Sequence, residues 1–192
     1  GFIFFPKSPR NVTPEQAAAL RKAAVGRAEV VAVTVDANDT FLDEIVSVMH
    51  PNWLQLHGHE TPERVAAVKA RYGLPVMKAF SVREAADLDA IGLYRGIADR
   101  LLFDAKAPKG SELPGGNGIS FDWSLLAALD PALKYMLSGG LNAGNVREAL
   151  AITHAPGLDI SSGVESAPGI KDTGLIREFF AAVNDARSGV KK

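Results

Sequence analysis

Short apolar runs rich in Val, Ile, Leu and Phe alternate along the chain with longer amphipathic stretches. That rhythm predicts repeated βα units around a parallel sheet, because strands covered by helices read as continuous apolar runs while the covering helices are apolar on one side only. Seven runs qualify as strands, at 1–5, 29–35, 53–57, 75–80, 100–104, 135–138 and 158–161. Two helix starts are marked by a Thr followed by Pro, in Thr13-Pro14-Glu15-Gln16 and Thr61-Pro62-Glu63-Arg64. The hydroxyl accepts from an otherwise orphaned backbone N–H, and the proline has none to leave unsatisfied. Asn142 precedes a further helix over 143–152. A last helix over about 173–186 carries Leu175, Ile176, Phe179, Phe180 and Val183 at helical spacing, a core-facing stripe.

No linker or charge block interrupts this rhythm, so residues 1–192 are read as a single domain. The exception is 105–120, AKAPKGSELPGGNGIS, rich in Gly and Pro. Irregular segments of that length in compact domains usually carry function or are disordered, and this one is read as a lid over a site. Seven consecutive βα units most nearly fit an α/β (β/α)8 TIM barrel one unit short, with a doubly wound open sheet as the alternative. The chain opens on a strand at Gly1, with no Met and no polar lead-in, so the expectation is a barrel lacking its first βα unit.

Composition narrows the function classes. With 47% apolar residues in 192, the chain has material for a full core without staples. Its 21 Lys and Arg against 22 Asp and Glu leave a net charge of −1 and no basic stripe, which argues against nucleic acid and anionic membrane surfaces as partners. No run approaches the roughly 18 apolar residues of a spanning helix. The opening GFIFF lacks the preceding positive charge of a secretory signal, so a cytoplasmic protein is expected. Zero cysteines exclude disulfides and thiolate metal sites and fit a reducing compartment.

Barrels of this kind build their sites at the C-terminal ends of the strands. The polar residues there are Lys7 and Arg10, Asp36, His57 and His59, Ser81, Asp104, Ser138-Gly139-Gly140 and Ser161-Ser162-Gly163. The last two loops, SGGLNAGN and DISSGVES, are adjacent and rich in Gly and Ser, which predicts a backbone anion site for a phosphorylated small molecule. Asp104 closes the apolar run LLFD, a placement suited either to a general acid or base or to a structural partner of a lysine such as Lys106. Arg10, in KSPR, has the fork geometry for a carboxylate but also suits a solvated loop. In His57-Gly58-His59-Glu60 a metal site would require further histidines at later strand ends. Only His50 and His154 remain, both in or near helices, so no metal is expected. Lys78, inside VMKAF, raises a Schiff-base aldolase. It sits within the run rather than at its end, which favours a contact to a neighbouring strand.

Together, GFIFFPKSPR, WLQLHGHE, LPVMKAFSV, LLFDAK followed by GGNGISFDW, LSGGLNAGNV and LDISSGVESAPGIKD resemble the phosphoribosylanthranilate isomerases of tryptophan biosynthesis, in order and over residues 1 to about 186. The resemblance implies a (β/α)8 barrel that converts N-(5′-phosphoribosyl)anthranilate to the 1-(2-carboxyphenylamino)-1-deoxyribulose 5-phosphate by an Amadori rearrangement, without metal or cofactor. It assigns Asp104 as general acid and Arg10 to the anthranilate carboxylate, with His57 lining the anthranilate side. Asp159 would bond substrate hydroxyls or orient the phosphate loop, and Gly139, Gly140, Ser161, Ser162 and Gly163 would hold the phosphate. The family's general base is a cysteine at the end of its first strand, and this chain has zero cysteines. GGNG stands where the family more often has GGTG. The expected partner is thus a small phosphoribosyl substrate, bound by a monomer or a homodimer, since open sheet edges invite association. A non-catalytic phosphoribosyl-binding barrel and another phosphosugar isomerase or synthase are the alternatives.

Overall fold

The computed structural model describes residues 1–106, 116 and 118–189. All seven apolar runs form strands: β1 (Phe2–Phe4), β2 (Val31–Thr34), β3 (Trp53–Leu56), β4 (Val76–Val82), β5 (Arg100–Ala105), β6 (Tyr135–Leu137) and β7 (Gly157–Leu158), hydrogen-bonded in sequence order. β1 with β2, β2 with β3, β3 with β4 and β6 with β7 run parallel. Every strand departs from its expected range at one end or both, and two departures matter for the site. β4 continues to Val82, and β7 ends at Leu158, the last residue paired with β6, which leaves Asp159 to Ser161 as loop. A short antiparallel pair that no alternation marks, β8 (Glu165–Ala167) with β9 (Ile170–Lys171), follows the β7 loop.

The helices are α1 (Pro14–Arg21), α2 (Asp39–Met49), α3 (Pro62–Tyr72), α4 (Val146–Thr153) and α5 (Thr173–Gly189). Thr13 and Thr61 are N-caps as expected, and Thr13 forms a reciprocal pair with Gln16. α4 starts three residues later than expected. Asn145 occupies its cap position, but its side chain accepts from Asn142 N–H (2.9 Å) and donates to the Gly140 carbonyl (2.9 Å), so it serves the preceding loop instead of the helix. The chain between β4 and β5 contains a 3-10 segment, Ala85–Tyr94, rather than an α-helix.

The chain forms two compact units. The first comprises Gly1–Ala79 and Ala90–Leu101. Its core gathers Phe4, Ala32, Leu42, Ile45, Met49, Leu54, Leu56, Val65 and Val68, each no more than 1% exposed, and Phe41 meets Phe4 edge-on at 6.4 Å. The second comprises Phe80–Asp89 and Leu102–Lys192. Here Phe103 packs between Phe80 (6.1 Å) and Tyr135 (5.4 Å), and the Tyr135 hydroxyl donates to the Thr153 carbonyl. In α5, Phe179 and Val183 are buried, but Phe180 is 61% exposed, contrary to the expected stripe. Consecutive helical residues lie about 100° apart, so with Phe179 turned inward its neighbour is carried off the same narrow face. Among the described residues, no helix is long and apolar enough to cross a membrane.

Candidate functional site

In the second unit, Asp104 is the next-to-last residue of β5; it is 4% exposed, and its Oδ1 accepts from Ala105 N–H at 2.9 Å. Lys106, its expected alternative partner, donates instead to Asp87 Oδ1 at 2.7 Å. Burial pushes the Asp87 carboxyl up, but the hydrogen bond from Lys106 and those from Arg83 and Glu84 N–H outweigh it and hold the group below its usual range. Most of the expected lid, residues 107–115 and 117, lies outside the described residues.

The β6 loop closes tightly on β5. Gly139 has φ +89°, and a Cβ there would sit 2.6 Å from Ala105 N and 3.2 Å from Asp104 Oδ1. Gly140, at φ +62°, is equally close to Ile119 and Ser120, with a Cβ placed 2.5 Å from Ile119 C. Glycine satisfies both the left-handed backbone and the close approach. The β7 loop is set against the β6 loop in the same way, since a Cβ on Gly163 would lie 1.9 Å from the Leu141 carbonyl oxygen. Ser138 ties the two strand ends by donating its hydroxyl to Asp159 Oδ2 at 2.9 Å, while Asp159 N–H donates to the Leu137 carbonyl. Asp104, Gly139, Gly140, Asp159, Ser161, Ser162 and Gly163 thus share one unit and one set of strand-end loops.

One residue in these loops escaped the sequence reading. Lys171 Nζ donates to the Ser161 carbonyl (2.8 Å) and hydroxyl (3.1 Å) and pairs with Glu165 Oε1 at 2.7 Å. It lies ten positions from Ser161 in a polar stretch, and only the β8–β9 turn brings it back.

In the first unit, Arg10 ends a tight turn after β1. Ser8 N–H donates to the Phe5 carbonyl, Val12 N–H returns to the Ile3 carbonyl, and Ser8 Oγ accepts from Arg10 N–H. The half-buried His57 follows β3, with its Nδ1 3.0 Å from the Gln55 side-chain amide. His59 turns instead to Asp36, whose Oδ1 accepts its backbone N–H and whose Oδ2 lies 3.0 Å from its Nδ1. Burial pushes the Asp36 carboxyl up, and the two His59 hydrogen bonds and its charge bring it below the ordinary value. The two histidines therefore serve different partners, and His50 and His154 cap α2 and α4 in left-handed conformation. Lys78 is buried with Nζ 3.0 Å from Glu60 Oε2 and donates to three backbone carbonyls. With its Nζ engaged by a carboxylate and three carbonyls, this lysine ties neighbouring segments together rather than presenting a nucleophile.

A family profile described as N-(5′-phosphoribosyl)anthranilate (PRA) isomerase matches residues 1–182. N-(5′-phosphoribosyl)anthranilate isomerases of Brucella canis and Brucella abortus are each 72% identical over 188 residues, covering 98% of this chain and 85% of theirs. Among solved structures, the phosphoribosyl anthranilate isomerase of Thermotoga maritima superposes with a TM-score of 0.85 at 33% identity, covering 96% of this chain and 87% of that one. A second isomerase structure, described as a complex with reduced 1-(o-carboxyphenylamino)-1-deoxyribulose 5-phosphate, reaches 0.82 at 31% identity, covering 96% and 86%.

Proposed function

Because the chain belongs to the N-(5′-phosphoribosyl)anthranilate isomerase family, we propose how its own residues divide the work of that isomerisation. The activity is the conversion of N-(5′-phosphoribosyl)anthranilate to 1-(2-carboxyphenylamino)-1-deoxyribulose 5-phosphate in tryptophan biosynthesis. Opening the ribose ring needs a proton delivered to the ring oxygen, and rearrangement needs the C2′ proton removed while both ends of the substrate stay fixed.

Asp104 is the general acid. The observation that carries this is its burial at the closing end of β5, with the Gly139 loop against its carboxylate. Gly139, Gly140, Ser161, Ser162 and Gly163 receive the phosphate, where close backbone approach and hydroxyls favour an anion. Asp159, fixed by the Ser138 hydroxyl, orients that loop or meets the substrate hydroxyls. Arg10 takes the anthranilate carboxylate and His57 lines the anthranilate ring. No step in this scheme calls for a metal or cofactor.

In this reading the seven strands belong to a (β/α)8 barrel. The resemblance makes the general base a cysteine, and the sequence contains none. A single cytoplasmic domain, monomeric or dimeric, completes the proposal. Arg10→Ala in the natural protein tests the carboxylate assignment. The expected result is a raised KM with kcat nearly unchanged, and an unaltered KM overturns it.

A further inference from the structure

We propose that the buried Lys78–Glu60 pair is a positioning device for His57, and so helps set how the anthranilate end of the substrate is held. The inference rests on the assignment of His57 above. Lys78 Nζ donates to the Leu56 carbonyl at 3.3 Å and the Gly58 carbonyl at 2.7 Å, the two carbonyls that flank His57. It also donates to the Ala79 carbonyl at 3.0 Å and lies 3.0 Å from Glu60 Oε2.

Glu60 extends the clamp. Its carboxylate accepts Gly58 N–H (3.0 Å to Oε2) and Asp36 N–H (3.0 Å to Oε1), and the Glu60 carbonyl accepts the Tyr94 hydroxyl at 2.9 Å. The interior of β4 and the segments that follow β2 and β3 are thereby joined through two residues that are 3% and 5% exposed. Gly58 makes the closure sterically feasible, because a Cβ there would lie 2.3 Å from Asp36 Oδ1. His57 is consequently held through its neighbours' carbonyls by Lys78 and at its ring by the Gln55 amide.

A buried ion pair contributes little net stability, because desolvating two charges offsets most of their attraction. What an apolar pair of equal volume cannot supply is a set of N–H donors shared among three named carbonyls and the Glu60 carboxylate. The pair therefore acts on geometry, and its effect belongs in substrate binding at the anthranilate end, apart from the phosphate loops of the second unit.

The test measures kcat and KM for N-(5′-phosphoribosyl)anthranilate, together with the inhibition constant of inorganic phosphate, in the natural protein and in Lys78→Met, Glu60→Gln and His57→Ala. Lys78→Met is expected to raise KM on the order of tenfold, with kcat and the phosphate constant within about twofold. Glu60→Gln, which keeps a neutral acceptor, shifts KM in the same direction by less, and it decides the matter if Lys78→Met does not fold. A folded variant with unchanged KM overturns the proposal, as does a KM that rises in step with the phosphate constant, the mark of general loosening. If His57→Ala raises KM while the clamp variants do not, the clamp alone fails. If His57→Ala leaves KM unchanged, the assignment of His57 fails first.

Discussion

Lys171 reaches back across the β8–β9 turn to Ser161, donating to its carbonyl at 2.8 Å and its hydroxyl at 3.1 Å while paired with Glu165. A cation placed there both stiffens the β7 loop and supplies positive charge beside the proposed phosphate site. Lys171→Met is expected to weaken competitive inhibition by inorganic phosphate about three- to tenfold, at the level of one exposed charge-assisted contact, with little change in kcat. An unchanged inhibition constant removes Lys171 from the phosphate site.

Gly139 answers to two constraints at once, a φ of +89° and the backbone of Ala105 at 2.6 Å from any added Cβ. Gly139→Ala is expected to lower stability by about 1–3 kcal/mol, since either the loop or the end of β5 must shift. Because that strand end carries Asp104, kcat falls more than the stability loss explains, by about 100-fold for a displacement near 1 Å. Thermal unfolding and kinetics on one preparation separate the two effects.

Asp43 contributes an acid limb to stability. Its hydrogen bonds from Arg71 and Tyr72 hold the carboxyl at about 2, against an ordinary 3.8. A depressed folded-state value means the contribution is complete above the unfolded value and is lost as pH falls through the folded one. Urea unfolding of the parent and Asp43→Asn is expected to show a gap at pH 6 that closes between about pH 4 and 2. A gap that is constant over that range contradicts the assignment.

The strands were legible because a buried parallel strand must be apolar on both faces, so Leu101, Leu102 and Phe103 announce β5 without knowledge of their neighbours. The caps at Thr13 and Thr61 were legible for a similar reason, as their hydrogen bonds close within three residues. Long-range pairing was not. That Lys78 meets Glu60, that Asp36 takes His59 and that Lys171 returns to Ser161 depend on register and turn geometry that no local window contains. Among the candidate site residues, the grouping of Asp104 with both glycine loops followed from strand-end positions, whereas the close packing of Gly139 on Ala105 shows only in the folded chain.

The two adjacent phenylalanines of α5 turn this contrast into a stability measurement. Phe179 is 4% exposed and Phe180 61%. Phe179→Ala is expected to cost about 3–5 kcal/mol, and Phe180→Ser about 0.5 kcal/mol or less in either direction. Equal costs contradict the orientation of α5.

Asp104 as general acid is the central assignment, and its most direct test is the turnover number of Asp104→Asn with N-(5′-phosphoribosyl)anthranilate, alongside the exposed control Asp185→Asn. The amide preserves size and most hydrogen bonding but cannot deliver a proton. A fall in kcat of about 100-fold or more, with KM within a few-fold and the control unaffected, is the predicted result. A folded Asp104→Asn protein that keeps the parent kcat contradicts it.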